Sequence, residues 1–364
     1  MHFLKTLKYF LPFLQVLAAR RWKFRPNNLF FPVIWVTNRC NLKCSICDQW
    51  RTPQSLIDQE LKTEDWFQLI RSAKNLNAMV VVITGGEPLL RKDIFEILRY
   101  INSLDMNAHL ITNGTLLSKH NIVNLKKSRV SSISISLDSF VPEVHNCIRG
   151  INCFDRIVDG IKNLNIIAPE IKLGINCVIT KKNFRSIYKM VKFAENLGVD
   201  QIKFDLVHTN LMHKDKTKES FKNYIFKKDE LPELELELEK LRNNLLKSKL
   251  ITNSSYFLSN IITTYLSKGK RYDCYAGYIS CAIDALGYVS VCDNFNGILN
   301  IKDKSLEQIW KSDTLKESRI VSCNCTNNCW DTTHGELNII CSMNWMFRDI
   351  GKVIKNFKFY FNLL

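Results

Sequence analysis

Between residues 31 and 208, short apolar runs alternate with longer amphipathic stretches, and this alternation restricts the possible folds more than any other feature. The runs at 31–37, 79–84, 108–112, 132–137, 171–179 and 201–207 are rich in Val, Ile and Leu and read as strands. Between them, 63–76, 92–104, 154–167 and 185–197 carry the helical period, with Thr63 placed as an N-cap. Repeated strand-helix units predict an α/β chain with a parallel sheet, built as a partial (βα)6 TIM-like barrel. In such barrels chemistry gathers in the loops after the strands.

The informative residues fall in those loops. Cys40, Cys44 and Cys47 follow the first strand, Gly85-Gly86-Glu87-Pro88 the second, and Asn113 the third, while Ser136 and Asp138 end the fourth. Three cysteines at C-x3-C-x2-C can ligate three irons of a four-iron cluster and leave the fourth iron open. Zinc would call for a fourth Cys or His nearby, and none stands between Cys47 and Trp66. Gly and Pro in the second loop suit a tight turn and a close backbone approach, and Glu87 offers an acceptor for an ammonium group. Residues 229–249 form a charged helix with a stripe of Leu231, Leu234, Leu238, Leu241 and Leu245. Residues 272–345 are rich in cysteine, with a hairpin centred on Gly287. This region forms a small metal-organised unit.

Taken together, the stretch from Thr37 to Cys47, the Gly85-Gly86-Glu87-Pro88 turn and the positions Asn113, Ser136, Asp138 and Arg149 resemble the radical S-adenosylmethionine (SAM) superfamily. The resemblance implies that Cys40, Cys44 and Cys47 hold a [4Fe-4S] cluster whose open iron binds SAM. It also implies that Gly85, Gly86, Glu87, Pro88, Asn113, Ser136, Asp138 and Arg149 line the SAM site. Ile46 stands where the family usually has an aromatic residue near adenine. Cys274, Gly287, Cys292 and the run Cys323-x-Cys325-x3-Cys329 resemble the auxiliary-cluster domains called SPASM and twitch. They imply at least one auxiliary [4Fe-4S] cluster on Cys274, Cys292, Cys325 and Cys329. Cys323 stands outside that set, and Cys281 and Cys341 leave a second cluster open. A structural zinc site is the alternative for the same residues. Cys147, Cys153 and Cys177 read as apolar packing residues, and His334 as structural or as a donor to substrate.

The domain order expected is a basic amphipathic segment (1–28), a radical SAM core (29–228), a helical linker (229–271), the auxiliary-cluster unit (272–345) and an amphipathic helix (346–364). The implied activity is reductive cleavage of SAM to a 5′-deoxyadenosyl radical that abstracts a substrate hydrogen. An auxiliary cluster favours oxidation, thioether formation or epimerisation of a peptide or an envelope or sugar precursor, with flavodoxin or ferredoxin as one-electron donor. The sequence assigns no catalytic side chain. A zinc-stabilised binding protein and an RNA-modifying enzyme are the rival readings. Thirteen cysteines in a core-rich chain fit metal ligation in a reducing cytoplasm better than a disulfide framework.

The formal charge of +16 favours an anionic partner. No stretch interleaves aromatic and basic residues as nucleic-acid binders do, so nucleic acid is not expected. The apolar stretch 9–19 is too short to span a membrane. Residues 1–28, and a C-terminal face of Phe347, Ile350, Ile354, Phe357, Phe361 and Leu364 beside Lys352, Lys355 and Lys358, have two readings. They either lie peripherally on the inner face of an anionic membrane or dock on the barrel.

Overall fold

The computed structural model describes all residues except 1, 208–221, 246, 247, 249, 267–271, 328, 343–349 and 362–364, and the side chains of 2–11, 244, 245, 264, 265 and 334. Six parallel strands form in the expected order: β1 (Phe31–Trp35), β2 (Val80–Thr84), β3 (Asn107–Thr112), β4 (Ser132–Ser136), β5 (Lys172–Ile179) and β6 (Gln201–Leu206). Helices α1 (His2–Trp22), α2 (Thr63–Asn75), α3 (Ile94–Ser103), α4 (Lys119–Lys127), α5 (Pro142–Arg149), α6 (Phe154–Ile167) and α7 (Ile187–Asn196) precede and link them. Each strand turns Ile34, Ile83, Leu110, Ile133, Ile175 or Phe204 toward the helices, and all six are fully buried. This near-continuous apolar face is the usual mark of a parallel sheet covered by helices. The α/β partial barrel is thereby borne out. At α2 the cap differs from expectation: Lys62 is the N-cap, and the Thr63 hydroxyl donates to Asp93 Oδ2 at 2.5 Å.

The C-terminal half joins the same sheet. The expected hairpin forms from β7 (Ser280–Ile283) and β8 (Tyr288–Ser290), and β9 (Leu299–Asn300) extends it. What the sequence does not show is that β7 pairs in parallel with β1, Phe31 opposite Ser280 and Ile34 opposite Ile283, so that among the described residues nine strands run in one sheet. The other edge, β6, is covered as well. Ile202 N donates to Leu250 O at 2.8 Å, Asn253 brackets Phe204, and Leu206 N donates to Trp330 O at 3.4 Å. An uncovered strand edge would be a template for aggregation. Helix α8 (Leu231–Leu245) buries Leu231, Leu234, Leu238 and Leu241 as its stripe requires, and Leu245 lies outside the described side chains.

Two further helices, α9 (Leu306–Trp310) and α10 (Asp313–Cys323), follow β9, and α11 (Ile350–Phe361) ends the described chain. Both ends dock on the barrel. Val16 and Ala19 of α1 pack with Phe30, Met79, Tyr278 and Cys341 in one buried cluster, which Phe357, Tyr360 and Phe361 of α11 border. Helix α11 also closes the barrel floor. The Tyr360 ring lies 4.8 Å from the His109 ring on β3, and its hydroxyl accepts from Lys203 Nζ on β6 at 2.8 Å, so the sheet curves round this side chain. Ile350 and Ile354, from the expected apolar face, remain half exposed, and Phe347 and Leu364 lie outside the described residues. The membrane reading of the two ends finds no support in this packing. Among the described residues, no helix is long and apolar enough to cross a membrane.

Candidate functional site

The cysteine loop hangs above β1 and is stitched to three other elements. Gly86 N donates to Thr37 O at 2.8 Å and Glu87 N to Arg39 O at 2.7 Å, which lays the second loop directly on the first. A Cβ on Gly86 would stand 2.1 Å from Arg39 O, and one on Gly85 2.4 Å from Thr37 O. The glycines thus serve contact between two loops, where the sequence suggested approach to a ligand. Asn41 and Asn113 pair side chains at 2.9 Å, and Ser45 N donates to Ile148 O at 2.9 Å.

Cys40, Cys44 and Cys47 lie close enough to influence one another's ionisation. Burial pushes all three thiols up, Cys47 to about 12, so metal binding would release protons. Gln49 N already donates to Cys47 Sγ at 3.4 Å.

Glu87 departs from its expected role as an open ammonium acceptor. It is fully buried, with Oε1 accepting from Leu89 N at 3.1 Å and Thr112 Oγ1 at 2.8 Å, and Oε2 from Asn113 N at 2.8 Å. It ties β2 to β3, and burial raises its carboxyl to about 7 against these three bonds. Pro88 opens a short 3-10 turn behind it. Asn113 has its side chain shared between Asn41 and Thr115. Ser136 is half-buried at the end of β4. Asp138 and Arg149 form a buried ion pair, Nε to Oδ2 at 2.7 Å, beside Cys44.

Strand register shows what sequence reading missed. Val33 pairs with Val82, Val82 with His109, His109 with Ser132, Ser136 with Asn176 and Val178 with Asp205. This face of the sheet looks into the barrel. Along it Trp35, Thr84, Ile111, Ser136, Asn176 and Asp205 are only half-buried, all near the C-terminal ends of their strands. Their side chains share the face of the sheet against which Phe359 and Tyr360 pack, through His109 and Lys203. Alternation at strand ends could have identified Asn176 and Asp205.

The second cysteine group surrounds one small cavity. Cys274, Cys292, Cys325 and Cys329 line it with Tyr272, Asn294 and Asn327. Asn294 Nδ2 donates to Cys329 Sγ at 3.2 Å, and Asn327 N to Cys325 Sγ at 3.4 Å. Burial lifts Cys292 to about 12, and lifts Cys329 with help from the Asp331 charge. Hydrogen bonds of this kind are what tune a bound iron-sulfur cluster. Among the described residues, no group of three or more His, Cys, Asp or Glu could hold a single metal ion, and these four sulfurs instead line a space. Cys323 faces Tyr278, Cys281 lies on β7 and Cys341 in the cluster under α1, none of them lining the cavity. Cys153 and Cys177 are buried as expected, but Cys147 is exposed, contrary to its reading as packing. The His334 side chain lies outside the described residues.

The auxiliary unit grips both edges of the barrel. β7 holds β1, while Trp330 O accepts from β6 and Thr332 N donates to Asp205 Oδ1 at 2.6 Å.

The model of the radical SAM superfamily matches residues 34–194, and that of an iron-sulfur cluster-binding domain, SPASM, matches 274–331. A probable GTP 3′,8-cyclase of Saccharolobus islandicus (strain Y.N.15.51 / Yellowstone #2) is 30% identical over 208 residues, 57% of this chain and 64% of that protein. An AdoMet-dependent heme synthase of Methanosarcina barkeri is 32% identical over 46% of this chain and 47% of its own length. The chain thus spans less than two thirds of these curated relatives. Among solved structures, Streptococcus suis SuiB bound to S-adenosylmethionine superposes with a TM-score of 0.66 at 22% identity, covering 86% of this chain and 75% of SuiB. Native anSMEcpe with bound AdoMet gives 0.61 at 19% identity, covering 79% and 82%.

Proposed function

We propose that the chain is a radical SAM enzyme with a C-terminal auxiliary iron-sulfur domain, and that it oxidatively modifies a peptide held between its two cysteine sites. One observation carries the reading. The auxiliary unit that carries Cys274, Cys292, Cys325 and Cys329 is attached to both edges of the barrel, β1 and β6, and through Thr332 N it reaches Asp205 on the barrel's inner face. The radical SAM match over residues 34–194 supports this reading over a purely scaffolding, zinc-stabilised protein.

The residues fit their groups. Three cysteines in the first loop leave one cluster corner for SAM, and four round the second cavity complete a set. When bound, these groups supply hydrogen-atom abstraction from the substrate and an acceptor for one electron. The chain's own part is placement. Ser136, Asn176 and Asp205 present hydrogen-bonding groups for a backbone amide, Trp35 and Ile111 a wall, and Phe359 and Tyr360 close the floor against water. A peptide is favoured over a sugar or envelope precursor because two structures of this fold hold one, SuiB with its precursor peptide SuiA and anSMEcpe with the Cp18Cys peptide. The strongly basic chain suits docking of a small acidic one-electron donor of the flavodoxin or ferredoxin kind.

The experiment is anaerobic. Reconstituted protein is expected to carry about eight irons, two four-iron clusters, and to give 5′-deoxyadenosine with dithionite and SAM, whereas Cys44→Ala gives none. A panel of deuterated peptides and nucleotide-sugars then assigns the substrate by deuterium transfer into 5′-deoxyadenosine. Label arriving from nucleotide-sugars and from none of the peptides would refute the peptide reading.

A further inference from the structure

Resting on the radical SAM reading, we propose that Asp138 and Arg149 form a buried charge clamp on Cys44 that sets the reduction potential of the cluster held by the first cysteine loop. The two are then positioning residues for the loop, and Arg149 is no longer free to bind the SAM carboxylate.

Geometry places the clamp. Arg149 is the last residue of α5, and both of its neighbours are fixed to the residues flanking Cys44. Ile148 O accepts from Ser45 N at 2.9 Å, and Gly150, left-handed at φ 75°, presses so close to Lys43 that a Cβ would stand 2.2 Å from Lys43 O. With both sides pinned, the guanidinium has little freedom. It pairs through Nε with Asp138 Oδ2 at 2.7 Å, and both charges act on the Cys44 thiol beside them. Asp138 is fully buried and fixed in turn, since Oδ1 accepts from Val178 N at 3.0 Å and its own N–H donates to His145 Nδ1 at 3.2 Å. A buried charge is tolerated when it is paired in this way, and removing one partner exposes the other's full field.

The sign of each effect follows. Adding an electron to a cluster is helped by a nearby positive charge and by hydrogen bonds to its sulfurs, and is opposed by a negative charge. Asp138→Asn leaves Arg149 uncompensated and raises the midpoint potential. Arg149→Gln leaves Asp138 uncompensated, removes a positive charge and lowers it. The double variant falls between the two.

The test is a redox titration followed by EPR on reconstituted protein lacking Cys329, so that the loop cluster is read alone. Opposite shifts for the two single variants support the clamp. Unmoved midpoints, or shifts of one sign, in iron-loaded variants overturn the proposal alone. If Arg149→Gln fails to hold iron, Asp138→Asn decides by its upward shift or the lack of one. Loss of iron from both variants with the fold retained by circular dichroism would overturn it in favour of a purely structural brace. A wild type that binds no iron would overturn the radical SAM reading and the proposal with it.

Discussion

Gly86→Ala tests whether the second loop exists to support the first. The added Cβ would stand 2.1 Å from Arg39 O, 2.5 Å from Arg39 C and 2.9 Å from Asn38 O, all backbone atoms of the cysteine loop. Ordinary carbon contacts lie at about 3.5 Å, so the segment beside Cys40 must retreat by roughly 1 Å. Gly86 is not among the glycines with positive φ, so alanine is allowed by the backbone and the clash can be read without added strain. Overpacking of this kind costs about 1–3 kcal/mol, while the reduced freedom of the unfolded chain returns about 0.4–1 kcal/mol. The net expectation is a loss of about 1–2 kcal/mol, a melting temperature a few degrees lower for the apoprotein, and fewer irons retained after reconstitution. Gly351→Ala is the control. It lies in α11 with nothing within 4 Å of the added methyl, and it should stabilise by up to about 1 kcal/mol with iron unchanged. Gly86→Ala with wild-type melting and wild-type iron would refute the reasoning.

Three further outcomes are expected. Cys329→Ala should lower iron by about four per chain and Cys323→Ala by none, measured by colorimetric iron and sulfide after reconstitution; equal losses would bring Cys323 into the ligand set. Phe359→Ala, which empties the barrel floor against His109 and Gly174, should cost about 3–5 kcal/mol in urea titration, and a cost under about 1 kcal/mol would mean that α11 does not plug the barrel. Glu87 has its carboxyl raised from 4.5 to about 7 by burial, so the folded apoprotein binds its proton more tightly than the unfolded chain does. Its contribution is therefore fully present below pH 4.5 and is lost as pH rises toward 7, and Glu87→Gln should flatten the stability profile across that window; an unchanged slope would show that other groups set it.

Much of the barrel was legible because its signal is local. A parallel strand covered by helices must be apolar at every second position at least, and the runs around Val81, Ile133 and Ile175 announce this without help from the rest of the chain. The cysteine spacings were legible for the same reason. Side-chain direction was not. Glu87 reads as an acceptor for an ammonium group, and Arg149 as facing a ligand by its resemblance to a position of the SAM site. In the structure each finds its partners within the chain: Thr112 and the backbone of Leu89 and Asn113 for Glu87, and Asp138 for Arg149. Nothing in the spacing of residues 87 to 113 or 138 to 149 records these partners.

The C-terminal helix shows the physical reason most clearly. Its apolar period, Ile350, Ile354, Phe357 and Phe361, predicts one buried face, yet the ridge that enters the barrel is Lys352, Asn356, Phe359 and Tyr360. Lys352 donates to Ile251 O, Asn356 to Thr252 O at 3.2 Å, and the Tyr360 hydroxyl accepts from Lys203. A moment computed on hydrophobicity counts these side chains as solvent-facing, because it cannot know that the barrel floor is itself polar, built from His109, Ser132, Gln201 and Lys203. Polar contacts of Lys352, Asn356 and Tyr360 hold the helix here as apolar burial holds the helices behind the sheet. The same blindness hid the join between β7 and β1. Four residues, Ser280–Ile283, suffice for a hairpin with β8 on one side, and only the unpaired edge of β1 decides what binds the other. Local pattern therefore located both cysteine groups, while the join that holds their two units together came from pairings at long sequence separation.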